Sequence, residues 1–351
     1  MRLCNLLVEP RTDHSSYSRS LFLDTPFAGC VRALSSRLSL LILFFLLVAG
    51  TVQAADVDPQ WPNDTEVVVS FNVEQALASP IGRRYLRGFL EQSLKSNEQA
   101  AALLKEVEFD PAKDISRIVL ALSVSDGDKS LVIIRGKFKT EKIAQAAARL
   151  AADQKDKLKI HRIAGQNMYE FPGDKESTFA AFVSDSSLVL SPQRATVVAF
   201  LEKATDKFGK VKPELARLVA KVDGKQAAWL AALPGFLKKD LPIPQDTPQQ
   251  KQAMEKIQGA TGTVRIENDI RFYFTLFAAD AASTQQIAGM VDGVIKLLLF
   301  LAPGIVKEKP ELAPLQDVLA TLRSQSKGQN VTVTAELTAK TLEKMIQAVK
   351  P

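Results

Sequence analysis

LKIHRIAGQNMYEFPGDKESTFAAFVSDSSLVL, residues 158–190, holds four short runs that are rich in apolar and aromatic side chains. The runs cover 158–163, 167–171, 178–183 and 187–190, and turn residues separate them at Gly165, Pro172-Gly173 and Asp185-Ser186. Each run has the length and bounding residues of a β-strand. The links between them are too short for a crossover connection, which needs a dozen residues or more, so successive strands run antiparallel. A four-stranded meander follows, and with it the fold class: α+β, mainly antiparallel sheet layered against helices.

Upstream of the meander, EVVVSFNV (66–73) reads as a β-branched strand. Ser79-Pro80 opens a helix whose Ile81, Tyr85, Leu86, Phe89, Leu90 and Leu94 recur at helical spacing. Asn97 opens a second helix through Val107. Strands at 115–123 and 130–138 form a hairpin around Asp126-Gly127-Asp128. An alanine-rich helix at 142–152 leads into the meander, and a helix at 194–204 follows it. In the second half RFYFTLF (271–277) alternates Arg271, Tyr273 and Thr275 against Phe272, Phe274 and Leu276, which makes one sheet face more polar than the other.

The pentamer KPELA occurs at 212–216 and again at 309–313, each time opening a helix that leads to a strand, at 226–233 and 330–337. SLVIIRGKFKTEKIAQAAARL (130–150) likewise resembles DIRFYFTLFAADAASTQQIAGMV (269–291) in pattern. These echoes read as two diverged α+β units. The expected organisation is a leader at 1–54, a short polar lead at 55–64, a first unit at 65–205 and a second at 206–351, with a proline-rich loop at 241–248. The alternative is that any α+β chain shows such echoes.

RLSLLILFFLLVAGTVQA (37–54) carries an apolar core at 38–49 behind Arg32 and Arg37. About a dozen apolar residues fall short of the roughly 20 that span a bilayer. Val52 and Ala54 then occupy the −3 and −1 positions of a small-residue cleavage site, so the segment reads as a secretory signal cleaved after Ala54 or Ala55. An uncleaved anchor is the alternative, and a translation start near Val31 would give the leader ordinary proportions. The expected location is secreted or periplasmic, with no stable membrane span after processing.

Both cysteines, Cys4 and Cys30, lie in that leader. The processed chain would therefore have no disulfide and no thiol chemistry. Loss of the leader leaves 40 basic against 36 acidic residues, a charge of +4. Spread over some 300 residues, that charge argues against nucleic acid as a partner. His161 is the one histidine beyond the leader and falls beside Lys159 on a polar strand face, where it reads as surface. No metal site and no cofactor are expected. Ser324-Gln-Ser-Lys327 matches a serine acyl-enzyme motif but follows a helix and runs into Gly328, so it reads as a helix C-cap. Asp110 and Asp114 in FDPAKDI read as local caps.

Two surfaces remain as binding candidates. Arg83, Arg84 and Arg87 ride the polar side of the 80–95 helix and could grip an anionic partner, although Glu91 is spaced to pair with Arg87 and Lys95. IAGMVDGVIKLLLFLA (287–302) is apolar all round from Leu297 to Leu301, as a core helix would be. In the rival reading the same helix lines an apolar ligand cavity through Met290, Val294 and Leu298. The order EVVVSFNVEQALASPIGRRYL, FDPAKDISRIVLAL, LVIIRGKFKTEKI resembles uncharacterised exported proteins of planctomycete-type bacteria. That resemblance implies export and an α+β repeat, and no known activity. The expected function is a soluble, exported, non-enzymatic binding or scaffold protein of the periplasm or cell envelope, its partner unknown. The alternative is a carrier of an apolar ligand or lipid; a hydrolase built on carboxylates and serines is a third reading.

Overall fold

The computed structural model describes residues 54–95, 97–123, 129–174, 176–204, 206–240 and 247–349. The leader core, Val52 and both cysteines lie outside those residues, as do Asp126-Gly127-Asp128 and most of the 241–248 loop. Among the described residues twelve strands form one sheet. They are β1 (Val67–Asn72), β2 (Ile115–Ser123), β3 (Lys129–Gly136), β4 (Lys159–Ile163), β5 (Gln166–Phe171) and β6 (Thr178–Ser184), then β7 (Ser187–Ser191), β8 (Ala228–Ala232), β9 (Ile257–Ile266), β10 (Ile270–Ala278), β11 (Arg323–Lys327) and β12 (Asn330–Leu337). Their spatial order is β11-β12-β10-β9-β8-β1-β2-β3-β7-β6-β5-β4. Every neighbouring pair is antiparallel, as the short turns of the meander require. The chain is α+β.

At the centre β1 pairs with β8, Val67 opposite Ala232 and Ser70 opposite Trp229. From this seam the chain runs outward twice: β1-β2-β3 on one side, β8-β9-β10 on the other. In each half a helix follows the third strand, α5 (Thr140–Asp153) after β3 and α10 (Ala281–Glu308) after β10. Each half then adds antiparallel strands outside, and the last of them, β7 or β12, returns to pair with the third strand.

Alternation along the strands sends side chains into two layers. Val68, Val119, Ile133, Trp229 and Ala231 point to one face, where α6 (Arg194–Leu201), α7 (Pro213–Val219) and Trp61 of the N-terminal segment cover them. Val67, Leu230, Ala232, Leu276 and Val331 point the other way. There they meet Phe236 and Leu237 of α8 (Pro234–Asp240), Met254 of α9 (Pro248–Glu255), and Ile287 and Val291 of α10. On that second face α11 (Ala313–Leu319) and α12 (Ala339–Val349) pack Val318, Leu342 and Met345 on Phe272, Ala335 and Leu337.

The helix expected from Pro80 begins differently. Asn72 ends β1 and caps a separate helix, α1 (Val73–Ala78), with its Oδ1 accepting from Gln75 N at 3.0 Å. The chain then folds back on α1 so tightly that a Cβ on Gly82 would lie 1.8 Å from the Ala76 carbonyl oxygen. A π turn (Gly82–Leu86) absorbs this approach before α2 (Arg87–Lys95) proceeds. The next helices form where their caps predict. Asn97 caps α3 (Glu98–Glu106), and Asp110 caps α4 (Pro111–Asp114), with Pro111 at the first position.

One local reading is overturned. Ser324 to Lys327 is no helix cap but part of the edge strand β11, paired with β12 through the Gly328 turn, where φ is +59°. The run RSQSK lacks an apolar face because it lies on the rim, where exposed polar and charged side chains discourage further pairing.

Candidate functional site

The α10 helix is docked firmly at its start. Asp280 Oδ1 accepts from Ser283 N at 2.7 Å, and Thr284 Oγ1 donates to the Asp280 carbonyl at 2.9 Å. Hydrogen bonds from the Ser283 backbone and side chain hold the Asp280 carboxyl below its usual range. Ser283, Thr284, Ile287 and Val291 are buried, and Ile287 is only 2% exposed.

The second half of the helix departs from the expected core. Leu297, Leu298, Leu299, Leu301 and Ile305 are exposed, Leu298 at 41%, and Phe300 stands 80% clear. Ala302 is the one residue of this stretch buried against the body. The all-round apolar character belongs here to a helix in the open. Its length and composition would suffice to cross a membrane, and no other helix among the described residues passes that test. Pro303 stands inside the helix and has no N–H to return to the Leu299 carbonyl, a local weakness that the flanking turns tolerate. Asp292 and Lys296 form no ion pair.

Met290 and Val294 line an open groove of about 410 Å³ between α9 and α10, together with Gln249, Ala253, Gly293 and Leu297. Leu298 lies outside it. The three residues expected to line one cavity are therefore divided between a shallow groove and bare surface.

The arginines do not converge. Arg83 Nη1 donates to the Ala78 carbonyl at 2.5 Å. Arg84 pairs with Glu343 of α12 at 3.4 Å and lies over the Tyr85 ring, 5.1 Å from its centroid. Arg87 is exposed, and its charge acts on Asp110. Glu91 makes neither of the ion pairs its spacing allows. The π turn displaces Arg83 and Arg84 from the register of an unbroken helix, and the three cations engage no common partner.

His161 is half-buried rather than free on the surface. Its Nε2 lies 2.7 Å from Glu170 Oε2, across the β4–β5 pair, where Lys159 and Ser177 also donate to the carboxylate at 3.3 Å. Burial alone would raise the Glu170 carboxyl, but these donors outweigh it and hold it below its usual value. Asp110 and Asp114 make the expected local contacts, Asp114 Oδ2 accepting from Asp110 N at 2.7 Å. Among the described residues no three His, Cys, Asp or Glu side chains are grouped to hold a metal ion.

At the expected processing site, Ala54 forms a β-bridge with Asp223, and Ala55 N donates to the Val222 carbonyl at 2.9 Å. No protein-family model, curated protein or solved structure matches this chain.

Proposed function

We propose that this chain is an exported, non-enzymatic binding protein of the cell envelope that seats on a lipid surface through the second half of α10. The observation that carries the reading is the exposure of five consecutive apolar residues, 297–301. Successive helix residues turn by about 100°, so five of them face every direction around the axis. A flat protein partner covers one stripe of such a helix; a leaflet can cover every side that the body leaves free. Residues 297–306 rise about 15 Å, roughly half the thickness of a bilayer core. Lys296 stands at one end of the stretch and Lys307 and Lys309 at the other, where their stems can lie along lipid and their ammonium groups reach headgroups. The burial of Ala302 keeps this half of the helix along the body, so the insertion is in the plane of one leaflet rather than a span.

The leader's composition and the resemblance to exported planctomycete-type proteins support a place in the envelope. The strand order supports descent of the two halves from one α+β unit, since each runs three strands outward from the seam and brings its last strand back to the third. In that alignment β3–α5 and β10–α10 correspond, whereas the two KPELA segments do not.

Flotation of the purified exported form with anionic and neutral vesicles tests the lipid reading. The parent should float with the vesicles. Leu298→Asp and Phe300→Asp should stay at the bottom of the gradient while melting as the parent does. A parent that stays soluble with every vesicle but forms a dimer, dispersed by the same variants, would assign the surface to a second copy. Saturable uptake of a monomeric fatty acid, blocked at Met290 and Val294 and without flotation, would favour the carrier.

A further inference from the structure

On the sheet face opposite α10, a pocket of about 350 Å³ opens beside the central seam, floored by Arg117 of β2 and Trp229 of β8 and edged by Asp56, Gly224 and Lys225. Arg117 Nη1 donates to Ser70 Oγ and Nη2 to the Gly224 carbonyl, each at 3.2 Å. Both acceptors are neutral, and no carboxylate among the described residues comes within ion-pair distance. Its neighbour across the β2–β3 pair, Arg135, shows the contrast: its Nη2 meets Asp58 Oδ2 at 2.7 Å. A guanidinium offers five N–H donors, and Arg117 has three left. Burial pushes it below its ordinary value, and no anion opposes the shift.

The other lining ring is Trp229. Trp229 is 4% exposed, and its indole N–H is buried without a hydrogen-bond partner. Trp61, its neighbour at 6.3 Å, shares that condition but does not line the pocket. Lys225 is exposed and makes no ion pair, so its charge adds to the field over the mouth. Asp56 is exposed on the rim and unpaired with Arg117. Asp223, one residue beyond Gly224, is already engaged, accepting from Lys225 N at 3.0 Å and Gln226 Nε2 at 2.7 Å.

We propose that this pocket binds a small organic monocarboxylate, its two oxygens received by the free N–H groups of the Arg117 guanidinium beside the Trp229 ring. The planar fork of an arginine matches a carboxylate in two parallel hydrogen bonds. The lining side chains carry two positive charges and one negative, which suits a monoanion and disfavours a phosphate dianion beside Asp56. The volume is at the small end of the range of about 300–1,000 Å³ for small-molecule sites. The site is independent of α10 and of any lipid surface.

The chain has two tryptophans, so its two indole N–H resonances report on the pocket directly. A purified form that keeps Ala54 and Ala55, which line the pocket, is titrated with acetate and inorganic phosphate at constant ionic strength. One indole resonance should move saturably with acetate, and more weakly or not at all with phosphate. Arg117→Met should weaken the response about tenfold or more, the scale of hydrogen bonds to a charged group. Lys225→Ala, at an exposed and unpaired position, should weaken it about three- to fivefold with no change in melting temperature. If Arg117→Met does not fold, the Lys225→Ala result decides. A parent with no saturable shift, or shifts untouched by Lys225→Ala, overturns the site; phosphate bound as tightly as acetate overturns the ligand class.

Discussion

Two truncations on one helix, Ile287→Ala and Leu298→Ala, separate a core helix from an exposed one. Ile287 is 2% exposed and packs in the cluster of Phe236, Met254 and Leu276. Its truncation leaves a closed void between α10 and the sheet and should cost about 2–5 kcal/mol. Leu298 is 41% exposed, so part of its side chain already meets water, and the gap it leaves is open. Its loss should cost about 1 kcal/mol or less. Urea unfolding of parent and both variants at one temperature measures the difference, provided the slopes agree. Equal costs at the two positions, or a larger one at Leu298, would return residues 297–301 to the interior. That result would also remove the surface on which the lipid reading stands. Read from the sequence as part of a core helix, Leu298 would also cost about 2–5 kcal/mol; its exposure lowers that figure.

Other outcomes follow from single contacts. Gly82→Ala drives a methyl into the Ala76 carbonyl, whereas Gly88 in α2 has no atom within 4 Å of a new Cβ. The first should therefore lose at least about 3 kcal/mol and the second gain about 0.5–1 kcal/mol, both read by chemical denaturation; equal effects would refute the close approach. Glu170 has a lowered folded value, so its contribution is present above the unfolded value of about 4.3 and is lost as pH falls through the folded one. Melting temperatures of Glu170→Gln should therefore fall less steeply than the parent's below about pH 4, and parallel curves would show that His161 and Lys159 do not stabilise the carboxylate.

The meander at 158–190 was legible because its turns are written in Gly, Pro, Asp and Ser, and short turns leave antiparallel pairing as the only geometry. The caps at Asn97 and Asp110 were legible for a similar reason: the signal and its hydrogen bond are within three residues of each other. What depends on distant neighbours was hidden. Nothing in RSQSK says that β12 will lie beside it. Nothing in LLLFL says whether a partner covers it, since a buried helix and a lipid-facing one carry the same composition. The Arg117 pocket was missed altogether. It is assembled from residues 54–56, 117 and 224–229, and an alternating strand bearing one arginine gives no sign that its partner is absent.

The seam between β1 and β8 has a consequence for the order of events in a chain's life. Val67 must wait for Ala232 before the middle of the sheet can close, and all five residues of β8 are buried. Until then β1 presents an unpaired edge, and the longest loop in the sheet remains to be closed, which makes folding slow. Under the proposed export through a membrane pore, such lateness would be useful: the central seam cannot close while the second half is still being made. It also means that a break between residues 206 and 212 should not yield two working pieces. Each would carry half of a seam, with a bare apolar strand at its edge and aggregation as the readiest way to cover it.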